Sequence, residues 1–477
     1  MSVPHIPVLR FGEPYESLDV NEIKDVRSGE VLAKTSVANA GLIKRDMKKI
    51  KSAYAKLGEV PFEELVQMCR KAGDFFMTGA LPIGDSDQTA DQYVEFLSAT
   101  SGLPQIMVRQ NMEKINYVLQ HIPTVLGGLT RGLDLNVLDS HFIEQGPNVY
   151  SYFPNTHSLG IILPSNSPGV NSLWLPSVAL KMPVIMKPGR DEPWTPFRLM
   201  QAFIAAGIPK EAFGFYPTSH EGANTILETT GRSILFGDAN TVKKYEQDAS
   251  VSIHGPGYSK VLIGEDEIDH IEEYMDVLVE SVARGGGRSC INSSMIVVPR
   301  DGEKVADMLA KKLAAIQPSA LDDEQAALSA FANPAVAEAI NAKIDAELEE
   351  GGAEDITARY RAGERLAELN GSTFLQPTIV YADSIDRPLA RAEYLFPYSS
   401  VVEVPQAEML DKIGPSLVVS AITKDQDFIN ECLESSDIPR LNIGRVTTAF
   451  VEWNQPHEGN LFEFLYSRRA IHVAHAS

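Results

Sequence analysis

The sequence predicts an α/β protein: a doubly wound parallel sheet, a second α/β unit that follows it, and a β-ribbon that belongs to neither. Three observations predict it. Between Gly160 and Ile263, short apolar runs alternate with amphipathic stretches. A parallel sheet covered by helices on both faces has this pattern. After Cys290 the alternation resumes with a different spacing. Residues 133–153 instead alternate apolar with polar around Gly146-Pro147, as paired strands do.

Taken in order, residues 21–132 read as mostly helical. Segments 63–77, 90–101 and 103–129 repeat apolar residues at three- and four-residue intervals. The 133–153 ribbon is either a plain surface hairpin or an edge that pairs with another subunit. Strands are expected at 160–163, 184–187, 213–217, 233–236, 251–253 and 260–263. Helices are expected between them at 170–181, 195–206, 221–229 and 241–249. A helix over 265–282 and a buried strand over 294–298 flank Cys290. A helix over 301–316 leads into a charged, helix-rich stretch ending near Leu369, in which the acidic segment 347–354 reads as a solvated loop. Strands are expected again at 374–380, 400–404 and 468–473. Ligands of a doubly wound sheet bind outside the carboxyl ends of its strands.

The chain has 477 residues, too many for one simple core, so two or three domains are expected. Hydrophobic residues make up 44% and charged residues 22%, ordinary values for a soluble enzyme. The net charge of −22 argues against nucleic acid or an anionic membrane as partner. The first residues lack a signal-peptide pattern, and no apolar run is long enough to span a bilayer. Three distant cysteines, Cys69, Cys290 and Cys432, suit a reducing, cytoplasmic compartment. No spacing suggests a metal site.

Cys290 alone sits in a glycine-rich turn, Arg284-Gly285-Gly286-Gly287-Arg288-Ser289-Cys290-Ile291-Asn292. Helix, glycine break, thiol and strand in succession hold sulfur at the mouth of a cleft, where glycine lets backbone and substrate approach. Arg288 would favour a thiolate if its guanidinium faces the sulfur. The other reading is an inert buried thiol.

Several short patterns then fall in a telling order. Pro164-Ser165-Asn166-Ser167-Pro168 follows one strand, and Val184-Ile185-Met186-Lys187-Pro188 forms another. Cys290 comes next, then Thr373-Phe374-Leu375-Gln376-Pro377-Thr378 and Glu393-Tyr394-Leu395-Phe396-Pro397. From about Phe153 to Val404 this order resembles the aldehyde dehydrogenase superfamily. The resemblance implies an NAD(P)-binding domain over 1–132 and 154–254. It also implies a catalytic domain carrying Cys290 over 255–445, and an oligomerisation arm of 133–153 with 466–477. It implies NAD or NADP as cofactor, an aldehyde substrate and a homodimer or homotetramer. Cys290 would add to the carbonyl and become a thioester. Asn166 would donate to the oxyanion beside the Cys290 N–H; a turn residue is the alternative. Lys187 matches the lysine used on adenine-ribose hydroxyls, and Arg190, three residues on, could meet a 2′-phosphate. Glu393 matches the nicotinamide-ribose glutamate. Phe396 falls one residue later than its usual aromatic companion. Ser165, and Gly237 in Phe236-Gly237-Asp238, stand at the strand ends where the cofactor lies, although the second turn departs from the family's Gly-Ser pattern.

The chief departure concerns the carboxylate that activates water in hydrolytic members. The corresponding run, Ser252-Ile253-His254-Gly255-Pro256-Gly257-Tyr258-Ser259-Lys260, contains none. His254 stands near its place, either as a base or as a packed strand-end residue. Loss of the carboxylate resembles the CoA-acylating branch, in which coenzyme A accepts the acyl group or an acyl-CoA is reduced. That reaction is the expectation. Hydrolysis with His254, Glu458 or Glu463 as base is the alternative, and a catalytically silent scaffold the third. Trp453, Phe462 and Phe464 either line an apolar substrate pocket or belong to the core.

Overall fold

The computed structural model describes residues 3–472. Its centre is a seven-stranded sheet in the spatial order Val251–His254, Arg232–Phe236, Leu159–Ile162, Val184–Lys187, Phe213–Phe215, Val8–Arg10, Glu13–Tyr15. The first five strands run parallel. The last two are antiparallel and close the edge. Leu159–Ile162 is buried on both faces, as its unbroken apolar run requires. One face packs against the long helices Phe62–Thr78, Gln105–Gln120 and Trp194–Ala205. The other is covered by Ala40–Asp46 and His220–Thr229. The chain winds outward from Leu159–Ile162 in one direction, then returns to its other side with Arg232–Phe236. The topological switch, where ligands of such sheets bind, therefore lies between these two strands.

A second seven-stranded sheet follows the order Ala353–Asp355, Thr378–Ala382, Tyr398–Glu403, Ser293–Val298, Ser259–Ile263, Val418–Ile422, Arg440–Ile443. All pairs are parallel except the first. Met275–Ala283 and Gly302–Leu313 cover one face, and Gln426–Glu434 the other. Residues 255–258 link Val251–His254 of the first sheet to Ser259–Ile263 of the second, so the amino end of the latter strand starts beside the carboxyl end of the former. A three-stranded sheet of Phe142–Gln145, Asn148–Pro154 and Tyr466–Arg469 stands apart. Phe142 and Phe153 on it are exposed.

Several expected elements differ. Val20–Lys24 and Val31–Ser36 are strands inside the stretch expected to be helical; β-branched Val31 and Thr35 suit the pleat. The helix expected over 170–181 is a 3₁₀ segment, Pro168–Leu173, and one turn, Pro176–Ala179, because Pro176 ends the first. The strand expected over 374–380 divides at Pro377. Ser372–Leu375 pairs in a hairpin with Leu366–Leu369, while Thr378–Ala382 enters the large sheet. Only Pro334–Glu349 is an α-helix in the charged stretch before Leu369. The late strand ends at Arg469, and Val473 lies outside the described residues.

Candidate active site

The Met275–Ala283 helix ends in three consecutive glycines with positive φ, Gly285 (63°), Gly286 (72°) and Gly287 (68°). A run of left-handed residues suits glycine alone. Gly287 also admits no side chain, since a Cβ there would lie 2.4 Å from Pro397 N. Asn292 then locks the turn. Its Oδ1 accepts from Ser289 N at 3.0 Å, and its Nδ2 donates to Ser281 O (3.2 Å) and Arg284 O (3.1 Å). From the next strand, Ser259 Oγ donates to Cys290 O at 2.8 Å. Gly257 sits against that same carbonyl, where a Cβ would come within 2.0 Å. Cys290 is thus held half-buried at a fixed point between the sheets.

The switch point of the first sheet faces it. A cavity of about 570 Å³ runs between the two sheets and is lined by Ser165, Asn166, Gly237, His254, Cys290 and Glu393 among others. Six of the nine residues singled out in the sequence are therefore brought together. Asn166 Nδ2 donates one proton to Arg288 O at 2.8 Å; an amide nitrogen carries a second. Ser165 Oγ accepts from Asp191 N at 3.2 Å, which joins the turns after two neighbouring strands. Gly237 N donates to His254 O at 3.2 Å. Glu393 accepts from Gly257 N at 3.1 Å and from Tyr258 N. Burial nevertheless pushes its carboxyl up to about 7, against those two hydrogen bonds.

The remaining three lie elsewhere. Lys187 ends the neighbouring strand, outside the cavity lining, and burial pulls its ammonium down while Asp191 opposes. Arg190 is exposed in the following turn, where its charge acts on Asp191. Phe396 is buried in the core with Leu375 and Tyr398. Exposed Leu395 takes its place on the cavity.

Arg288 does not serve the sulfur. Its guanidinium turns away and donates to Ser101 O at 3.0 Å. It is half-buried, and desolvation pulls it down to about 10. The thiol of Cys290 is pushed up by burial, then by the carboxylates of Glu458 and Glu393; Ser289 and Arg440 oppose. Burial and the two carboxylates thus both favour the thiol over the thiolate. Cys69 and Cys432 are raised by burial too, to about 12 and about 11.

Glu458 comes from the C-terminal segment. Its carboxylate contacts His254 Nδ1, while His254 Nε2 lies 3.2 Å from Ser252 Oγ. The His254 ring also packs on Phe236, 4.6 Å between centroids. Glu463, by contrast, pairs with exposed Arg131 at the surface. Phe462 is core, whereas Trp453 and Phe464 line a smaller cavity of about 300 Å³ beside His254 and Glu458.

Residues 15–460 match the family model described as the aldehyde dehydrogenase family. The chain belongs to the aldehyde dehydrogenase family. It is 22% identical over 390 residues to 5-carboxymethyl-2-hydroxymuconate semialdehyde dehydrogenase of Escherichia coli, covering 77% of this chain and 76% of the relative. It is 20% identical over 464 residues to malonate-semialdehyde dehydrogenase 1 of Geobacillus kaustophilus, covering 92% and 90%. In fold it is similar to an NAD+ complex of aldehyde dehydrogenase from Bacillus cereus, with TM-score 0.79 and 16% identity over 98% and 96% of the two chains. An E. coli NADP-dependent enzyme gives TM-score 0.78 at 15% identity, covering 98% of this chain and 99% of the other.

As an aldehyde dehydrogenase the protein is an NAD(P)-dependent oxidoreductase acting on aldehydes. The residues fit that cofactor. The cavity opens on the switch point, and the carboxylates of Glu393 and Glu458 make the surroundings of Cys290 favourable for a cationic ring. Among the described residues no helix is long and apolar enough to cross a membrane, and no cluster suits a metal.

The sequence reading missed Asn292, Lys114 and Arg440. Asn292 carried a signal, a polar residue between the glycine turn and a wholly buried strand.

Proposed function

We propose that this aldehyde dehydrogenase oxidises its substrate through a thioester on Cys290 and releases a carboxylic acid, with Glu458 activating the water. Bound NAD or NADP supplies the two-electron oxidant. The Cys290 thiol releases its proton to solvent in the cleft and its sulfur attacks the aldehyde carbon; the hydride on that carbon would pass to the bound nicotinamide, leaving the thioester. The second Nδ2 proton of Asn166 and the Cys290 N–H serve the oxygen of the thiohemiacetal. Glu393 would hold the nicotinamide ribose, Ser165 and Gly237 would border the cofactor, and Lys187 and Arg190 would meet its adenosine end. His254 is a positioning residue: its Nδ1 aims the Glu458 carboxylate.

One observation carries this reading. The strand-end segment 252–260 lacks a carboxylate, yet Glu458 reaches the same place from the C-terminal side. There it rests on His254 and is close enough to oppose ionisation of Cys290. A carboxylate so placed is a candidate base for water in the deacylation step. The test is Glu458→Gln. A first turnover of NAD(P)H should survive while steady-state turnover falls about 10²- to 10⁴-fold, the range for a lost general base. Unchanged steady-state turnover would remove Glu458 from this role.

The second reading, transfer to coenzyme A, is favoured by the missing carboxylate in 252–260 itself, because a thiol needs a base less than water does. Product analysis with and without coenzyme A separates the two. Turnover that strictly requires coenzyme A and yields an acyl-CoA would replace the hydrolytic reading. The isolated three-stranded sheet, with exposed Phe142 and Phe153, supports self-association into a dimer or tetramer. A monomer by light scattering would remove that proposal. A reducing, cytoplasmic setting agrees with three unpaired cysteines.

A further inference from the structure

A third cavity, of about 430 Å³, shares no lining residue with the cofactor cleft. Lys114, Tyr117, Thr124, Arg284, Phe450 and Trp453 line it. Ala449 and Val451, on its wall, share one apolar cluster with Cys290 and Ile291, and Cys290 is near enough to act on the charge of Lys114. Lys114 projects from the Gln105–Gln120 helix toward the Asn166 loop. Its Nζ lies 3.5 Å from the position a Cβ would take on Gly169.

The charges at this end of the site can be paired off. Arg284 is met by Glu280 at 2.9 Å. Arg440 donates to Phe450 O at 2.7 Å, contacts His457 Nδ1 at 2.8 Å, and has Glu458 as its neighbouring anion. Glu452 is exposed at the rim. Of the two cations on the cavity wall, Arg284 and Lys114, Lys114 is the one left without a carboxylate. Among the described residues it has no carboxylate within ion-pair distance; its charged neighbours are Arg284 and Arg440. An unpaired, half-buried ammonium beside two guanidiniums costs stability unless a ligand supplies the counter-charge.

We infer that the substrate is an aldehyde bearing its own carboxylate, which Lys114 receives while the carbonyl reaches Cys290. The inference rests on the functional reading above and adds the substrate class to it. A carboxylate suits the site better than a dianionic group, because one positive charge is unpaired.

The test compares 4-oxobutanoate with butanal, equal in chain length and differing in the carboxylate. Wild-type kcat/KM is expected to favour 4-oxobutanoate about 10- to 100-fold, the range of one charge-assisted hydrogen bond. Lys114→Met should erase that preference by raising KM for 4-oxobutanoate, with butanal changed less than about threefold. Lys114→Arg should retain most of it, which guards against a folding defect. Equal use of both aldehydes by the wild type would overturn the inference and leave the functional reading standing. Equal losses on both in Lys114→Met would do the same, since Lys114 would then serve the thiol. Oxidation of neither aldehyde, nor of any longer one, would overturn the functional reading and this inference with it.

Discussion

Replacing Asn292 by alanine removes the clamp that sets the position of Cys290. The side chain is 7% exposed and makes three hydrogen bonds, to Ser289 N, Ser281 O and Arg284 O. Each is worth about 1 kcal/mol net, and one buried donor or acceptor left unpaired costs about 1–3 kcal/mol. A loss of about 4–6 kcal/mol follows, and it falls on the glycine turn because all three partners flank it. The sheets themselves keep their contacts. The expected result is local: faster amide hydrogen exchange over residues 284–292 and a fall in kcat/KM of about two orders of magnitude or more, with the protein still folded. Asn292→Asp is a useful companion. It keeps the acceptor for Ser289 N but sets a carboxylate against two carbonyl oxygens, so it should be no better than alanine. Hydrogen exchange by mass spectrometry and steady-state kinetics on both variants measure this. Wild-type kinetics and unchanged exchange in Asn292→Ala would refute the reasoning.

Three further outcomes follow from the same geometry. Gly257→Ala forces a Cβ to within 2.0 Å of Cys290 O, so the strand end or the cysteine turn must shift. Activity should drop by at least about tenfold, and activity equal to wild type would show that the close approach is dispensable. Glu458→Gln removes one of the carboxylates that hold the Cys290 thiol up. Alkylation of Cys290 by iodoacetamide at neutral pH should therefore accelerate even as turnover slows, and a slower alkylation would contradict the assigned cause. Glu393 has a folded-state carboxyl raised to about 7 from an ordinary 4.5. Between those values the folded form binds the extra proton, so its contribution is present below about pH 4.5 and is lost as pH rises toward 7. Urea midpoints of Glu393→Gln should lack that downward slope, and identical slopes in variant and wild type would exclude the group.

The alternation of strands and helices was legible because both sheets are buried on two faces. Leu159–Ile162 and Val184–Lys187 read directly from their apolar runs and glycine or proline boundaries. The expected helix over 90–101 matches Ala90–Ser101, whose ends are marked by the Thr89 capping box and left-handed Gly102. Failures came where proline or partner choice overrode periodicity. Pro377 divides two strands that belong to different sheets, and nothing local says which sheet each will join. The cysteine turn was legible because three glycines in a row demand a special backbone. The role suggested for Arg288 was not, since proximity in sequence does not say where a long side chain points. Its guanidinium donates to Ser101 O instead. Glu458 was named only as one of two acidic residues. What separates it from Glu463 is contact with His254, a pairing across more than 200 residues that no local pattern encodes. Lys114 was hidden for a related reason. It looks like a helix-surface lysine until the C-terminal segment closes over it.

The central claim is an acyl group carried by Cys290 during turnover, with Glu458 needed to discharge it. Intact-mass and peptide mapping of Glu458→Gln, quenched after mixing with NAD(P) and aldehyde, test it most directly. The account predicts a mass increase equal to the acyl group on the peptide containing Cys290, and none in Cys290→Ser. An active enzyme whose quenched Cys290 peptide never carries the acyl mass in either wild type or Glu458→Gln would contradict it.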